Sequence, residues 1–278
     1  MSHTDRQENP VDVTGSTALV TGASGGIGEG VARALAARGA HLVLVARRAD
    51  RLEALAAELR ARHGVEALAV PADLAEPGAA ARVQEAVEAW GGRAVDVLVN
   101  NAGFGLTGRL AQAEDPARLA AMVSVNCTVL TELTARFLPG MVARGRGAVV
   151  NVASMASFAP LPGFAVYAAT KAFVLSLSQA LWAETRGTGV LVTALCPTAT
   201  DTGFFDVSGE SAGAGVRRRS VEQVVATFLD ALDADRPVVV DGRANEVVAA
   251  ASRFVPRGPF LRLAGPRIAD RVGAPTAR

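Results

Sequence analysis

The stretch TALVTGASGGIG, residues 17–28, decides the fold. Its first five residues, Thr17–Thr21, are apolar or β-branched and read as a strand. A helix opens inside the glycine cluster and runs over about 26–38. Glycines between a strand and a helix permit a tight turn and let the backbone approach a diphosphate, which the positive end of the helix attracts. The spacing TGxxxGxG departs from the commoner GxGxxG, and for a glycine cluster alone a plain tight turn is the alternative. The strand before it and the helix after it favour a dinucleotide site.

The same alternation continues outward. Strands are expected at His41–Ala46, 65–71, 95–100, 148–153, Val190–Cys196 and 237–240. Between them lie helices at 50–62, where Asp50 is the expected cap, and at 77–90, 116–143, 164–186 and 220–234. Strand cores such as LVLV and VDVLV are almost continuously apolar, the pattern of strands covered on both faces. Repeated βα units of this kind imply a parallel sheet between two layers of helices. No linker or repeat divides the chain. We expect a polar, flexible lead-in at 1–15, one domain at 16–242 and a basic tail at 243–278.

Composition excludes several classes. With 28 basic against 27 acidic residues, the formal charge is +1, unlike the concentrated basic surface of a nucleic-acid binder. No apolar run approaches the ~20 residues that cross a bilayer. Cys127 and Cys196 have neither metal-ligand spacing nor the density of a disulfide scaffold, so small buried residues in a reduced, cytoplasmic setting are expected, with no metal. The histidines, His3, His41 and His63, all precede the fifth strand, and none is placed to activate Cys127.

One oddity carries information. Of the 28 cations only one is a lysine, Lys171, and the chain holds one tyrosine, Tyr167, four residues earlier. A compact ammonium and a planar guanidinium do different work. On a helix, residues four apart share a face, ~6 Å apart along the axis. There the ammonium favours the phenolate and lowers a pKa that is otherwise ~10. A half-buried tyrosine beside a solvated lysine is the bland alternative.

The second strand ends HLVLVARR, 41–48. Where an NAD site offers a carboxylate to the ribose 2′-hydroxyl, this chain has Ala46, then Arg47 and Arg48. Guanidinium groups suit a 2′-phosphate. NADP(H) is therefore favoured, NAD(H) is possible, and Arg47 is the better candidate. Solvated charge flanking a helix is the other reading, above all for Arg48.

These residues resemble the short-chain dehydrogenase/reductase family. The matches are TGASGGIG at 21–28, Asp73-Leu74, NNAG at 100–103, Asn126, Ser154 and YAATK at 167–171, in the family's order over about 16–240. The resemblance implies a single Rossmann-type domain, a doubly wound seven-stranded parallel sheet. It implies an oxidoreductase acting on a carbonyl or secondary alcohol. Tyr167 would be the general acid/base, Lys171 would hold the nicotinamide ribose, Ser154 would orient the substrate oxygen and Asn126 would anchor a relay water. Cofactor contacts would come from Gly22, Ser24, Gly26, Ile27, Gly28, Asp73, Leu74, Asn100, Ala102, Gly103, Pro197 and Thr202. Thr198 stands where the family usually has glycine, which leaves the backbone path there open. A homodimer or homotetramer through the two long helices is also implied.

Ser157 competes with Ser154, and Asn126 has the alternative of a satisfied core amide. The Gly- and Ser-rich segment at about 201–215 reads as a flap over an apolar pocket, to which Phe158, Phe164, Phe204 and Phe205 are candidates, core packing being an equal explanation for each. A catalytically silent NADP-binding regulator is the rival function. The tail carries seven arginines against Glu246 and Asp270. Packing on its own domain or a neighbouring subunit is expected. An amphipathic element for an anionic membrane is the rival, opposed by Pro256, Pro259 and Pro266 as helix breakers.

Overall fold

In the computed structural model, which describes residues 11–209 and 217–272, seven parallel strands form one sheet. They are β1 (Thr17–Thr21), β2 (His41–Ala46), β3 (Ala67–Pro71), β4 (Val97–Asn100), β5 (Gly147–Val152), β6 (Val190–Cys196) and β7 (Val238–Val240), in the order β3-β2-β1-β4-β5-β6-β7. The connecting helices are α1 (Gly26–Ala37), α2 (Ala49–His63), α3 (Ala79–Ala89), α4 (Pro116–Val123), α5 (Leu130–Arg144) and α6 (Ala165–Glu184). A short α7 (Phe204–Ser208), α8 (Val221–Leu232), α9 (Arg243–Ser252) and α10 (Arg257–Val272) follow. This is the doubly wound sheet that the apolar strands predict.

Side chains alternate across the sheet because strand residues point to opposite faces in turn. Ala18, Val20, Leu42 and Leu44 join Leu35, Leu52 and Phe228 on one face, with α1, α2 and α8. Leu19, Val43, Val45 and Leu98 join Val83, Leu133 and Met141 on the other, with α3 and α5. Both faces are dry, so a polar residue in a central strand would have no water to bond.

Local chemistry sets several helix ends. Asp115 caps α4 through the Arg118 amide at 3.0 Å, with Pro116 in the first turn. Ser220 and Gln223 form a reciprocal capping box on α8. Gly64 and Gly145 end α2 and α5 in the left-handed conformation.

Four expectations need correction. Asp50 sits in the first turn of α2, favourable to its dipole, while Arg48 occupies the cap position without a capping side-chain bond. The helix expected at 116–143 is interrupted by a π-helical turn, Ser124–Val129. Residues 11–15 of the lead-in are not loose, because Val13 is buried in the core and the Val11 amide bonds the Leu232 carbonyl; residues 1–10 lie outside the described part. Finally, only one of the three tail prolines stands at a break: Pro256 lies between α9 and α10, whereas Pro259 lies in the first turn of α10, where no amide is needed, and Pro266 is accommodated inside it.

Phe228 has no solvent exposure and anchors α8 beneath the sheet. Phe228→Ala should cost about 3–5 kcal/mol. Urea unfolding should show a lower midpoint at an unchanged m-value.

Candidate active site

The carboxyl ends of β1 to β6 border one cavity of about 1110 Å³. It spans the point between β1 and β4 where the strand order reverses, the usual crevice of open α/β sheets. Its wall includes Gly22 after β1, Arg47 after β2, Asp73 after β3, Ala102 and Gly103 after β4, Ser154 after β5 and Pro197 after β6.

The glycine turn is held by the neighbouring strand end. The Thr21 hydroxyl accepts from the Asn101 and Ala102 amides at 2.9 and 3.0 Å, and the Asn101 side chain donates to the Thr21 carbonyl at 2.8 Å. Gly22 has φ +68°, and a Cβ on it would lie 2.7 Å from Asn101 Nδ2. A Cβ on Gly28 would lie 2.4 Å from the Gly22 carbonyl oxygen. The start of α1 is therefore pressed onto the turn, and only glycine fits. Asn101, the missed member of NNAG, does this holding. Ser24, Gly26 and Ile27 line the cavity, while Gly28 packs behind it. Thr202 covers the turn, its Cγ2 being 3.1 Å from where a Gly26 Cβ would stand.

Three arginines border the cavity at the start of α2: Arg47, Arg48 and Arg51. Arg48, expected to be the lesser candidate, is the one laced to the glycine turn, donating to the Ser24 hydroxyl at 3.0 and 3.1 Å and to its carbonyl at 2.9 Å. Arg51 was missed because a cation in the first turn of a helix looks like ordinary surface charge. Asp73 and Leu74 line the same end, with Asp73 also bonding the Ala75 amide.

Tyr167, Lys171 and Ser154 meet at the other end of the cavity. The first two share a face of α6, and both are buried, at 7% and 5% exposure. The ammonium of Lys171 is 5.9 Å from the phenol ring centre and donates to the Val152 carbonyl at 2.7 Å. Burial pushes the phenol up to about 12, partly offset by a hydrogen bond with Ser154. Burial also lowers Lys171 to about 8. For Tyr167 the upward shift is opposite to the direction that the spacing of the two charges predicts. Desolvation reverses it, because a phenolate here would lose water while the ammonium is bonded to a carbonyl.

Ser157 does not line the cavity; its hydroxyl donates to the Lys171 carbonyl at 2.8 Å. Asn100 also points away, donating from 3% exposure to Asn151 and Thr134 at 2.9 and 3.0 Å. Its side chain ties β4 to β5 and α5 and does not reach the crevice. Asn126 is in the π-helical turn, 1% exposed, and donates to the Phe104 carbonyl and the Thr170 hydroxyl at 3.0 Å each. Its Oδ1 accepts from the Phe104 amide at 3.2 Å. The side chain thus clamps the loop after β4 to α6, and the widened turn is what aims it there. Cys127 and Cys196 are free and buried. Among the described residues no cluster could hold a metal ion.

Phe164 stacks on Tyr167 with ring centres 4.3 Å apart, and Phe204 closes on the tyrosine at 5.5 Å. Phe205 lines the cavity too, whereas Phe158 packs beside β6 and α6. Of the expected flap, 201–209 is described and 210–216 is not. Its legs are joined where Thr200 bridges Arg219, and the Arg219 guanidinium pairs with fully buried Asp241 at 2.6 Å. That anchor was invisible in the run RRR. Pro197 and Thr198 border the cavity, and no non-glycine among the described residues has positive φ, so the threonine replacing glycine is unstrained.

Because Tyr167 is the only tyrosine, its ionisation can be read alone from phenolate absorbance. No phenolate step should occur below pH ~10 in the folded free protein. Unfolding returns the group to its ordinary value, so its ionisation opposes the native state as pH rises beyond that value. A titration near neutrality would contradict this burial.

The short chain dehydrogenase family model matches residues 16–212. Over 248 residues the chain is 38% identical to glycine betaine reductase ATRR of Emericella nidulans, a match covering 88% of this chain and 19% of that protein. A short chain dehydrogenase of Pseudocercospora fijiensis is 40% identical over 184 residues, 66% of this chain and 59% of that one. The chain thus spans well under two thirds of the length of both relatives. A short-chain dehydrogenase from Sphingobium yanoikuyae, solved in complex with NADPH, superposes with TM-score 0.78 at 37% identity, covering 86% of this chain and 93% of that one. The sheet order, the crevice and these likenesses agree that the chain belongs to the short-chain dehydrogenase/reductase family.

Proposed function

We propose that this protein is an NADP(H)-dependent oxidoreductase interconverting a carbonyl and a secondary alcohol, with Tyr167 as general acid/base. The observation that carries the proposal is the meeting of Tyr167, Ser154 and Lys171 in the same cavity as the glycine turn. The cradle fits a dinucleotide: Gly22, Gly25 and Gly26 present bare backbone to the cavity, and the turn sits at the start of α1. Arg47, Arg48 and Arg51 offer guanidinium groups to a 2′-phosphate. NADPH bound to the Sphingobium relative supports the same preference. When bound, the nicotinamide supplies the hydride for reduction or takes it in oxidation.

The chain's own residues handle the proton. Ser154 and Tyr167 hold the carbonyl oxygen, and Tyr167 gives its proton to that oxygen as the carbon becomes tetrahedral. Each pKa unit above neutrality costs about 1.4 kcal/mol in forming the phenolate. Lys171 offsets part of that cost by turning its charge from Val152 toward the phenol. In oxidation the phenolate takes the alcohol proton. Phe164 and Phe204 exclude water around the reacting oxygen and favour an apolar substrate body. A homo-oligomer through α4, α5 and α6 is our further expectation, supported by exposed Val123, Val142 and Phe173 on those helices.

Tyr167→Phe should lower turnover by about 10²–10⁴-fold in a panel of ketones and aldehydes, while NADPH binding, followed by fluorescence, persists. Retained turnover would remove Tyr167 from the reaction, and NADPH binding by the wild type without any turnover would favour a silent regulator. Arg47→Ala should weaken NADPH more than NADH. Arg48→Ala should weaken both, because it also frees Ser24. An equal effect of Arg47→Ala on the two cofactors would move the phosphate contact to Arg51.

A further inference from the structure

We infer that the C-terminal helices α9 and α10 and the turn between them dock the protein on an anionic membrane surface, a property separate from the redox chemistry. Ala244, Val247, Val248 and Ala251 follow the i, i+3, i+4, i+7 spacing that ordinarily marks the core side of a helix. Here that stripe faces solvent, with Val247 68% and Val248 59% exposed, while Ala249 faces inward at 4%. The turn after α9 extends it with Phe254, 87% exposed, and Val255, 47%. Phe254 lies between Arg253 and Arg257, both exposed. An aromatic side chain at an exposed turn between two arginines can enter the headgroup boundary while the guanidinium groups stay at its surface.

Charge selects the occupant. Residues 243–278 hold seven arginines against two carboxylates, while the remaining 242 residues hold 21 cations against 25 anions. A near-neutral chain has thus gathered its positive charge on one end. Arg243, Arg253, Arg257 and Arg262 have no ion-pair partner among the described residues, and Asp270 is engaged by Arg109 at 2.7 Å. A two-fold contact with a second copy would bring the same positive patch against itself. No described helix is long and apolar enough to cross a membrane, so the contact lies on its surface. Each of the two helices also touches an element that borders the cavity. Gly265 of α10 lies against Pro162, the neighbour of cavity-lining Leu161, and α9 packs on the turn containing Met155. A bilayer-dissolved carbonyl compound would reach the cavity from that side.

The test is sedimentation of the full chain with phosphatidylcholine vesicles, with and without phosphatidylglycerol, at low and high salt. Binding should require the anionic lipid and fall with salt. It should drop by roughly fivefold for each charge removed in Arg253→Gln and Arg257→Gln, and be lost in Phe254→Ser with Val248→Ser. Thermal midpoint and NADPH binding of these variants should match the wild type, since the altered side chains are exposed. Failure to bind either vesicle, or equal binding to both, would overturn the inference. So would a fall in molecular mass of Phe254→Ser in light scattering without a change on vesicles, which would assign the stripe to a second copy.

Discussion

The close approach of β1's glycine turn to the end of β4 is the contact on which the rest of the site depends. Thr21 and Asn101 exchange hydrogen bonds across the strand-order reversal, and the Gly28 position has no room for a side chain. This fixes the start of α1 at the mouth of the crevice and aims its free amides there. The loop after β4 is then stapled from the other side by Asn126, so the crevice has two fixed walls. Every later feature, from Arg48 on Ser24 to Thr202 over Gly26, is measured from that turn.

Burial is the second constraint. A phenol and an ammonium four residues apart on a helix are usually half solvated, but here aromatic rings and the floor of the crevice remove the water from both. The result is a phenol that is firmly protonated and an ammonium that is poorly hydrated. Each side chain is costly to charge by itself, and the proposed reaction needs Lys171 to offset part of that cost for the phenol. A chain that otherwise spells its cations as arginine keeps its lysine here, where a compact charge must fit between Val152 and Tyr167.

Much of this was legible in residue order. Apolar runs such as LVLV declare a sheet covered on both faces, and the glycine cluster after the first of them locates the crevice. Tyr167, Lys171 and Ser154 could be singled out because their residue types and spacing have few other uses. What stayed hidden depends on side-chain direction. Asn100 and Asn101 are adjacent and chemically identical, yet one braces the sheet and the other the turn. The same holds for Arg47 and Arg48, whose roles are divided by which guanidinium folds back on Ser24. The π-helical turn around Asn126 has no signature of its own in the residue order, and the bonds to Phe104 and Thr170 that it allows are long-range. The sign of the Tyr167 shift was missed because the spacing of charges says nothing of their solvation.

The proposed chemistry requires Tyr167 to be tuned within the crevice by burial and, with cofactor bound, by the charge of Lys171. Its most direct test is the phenolate absorbance of this single tyrosine, titrated with and without saturating NADP⁺. Once the oxidised cofactor is bound, the midpoint should fall well below the value of about 12 to which burial pushes the phenol in the free protein, with the difference lost in Lys171→Met. Superimposable titrations with and without NADP⁺ would contradict it.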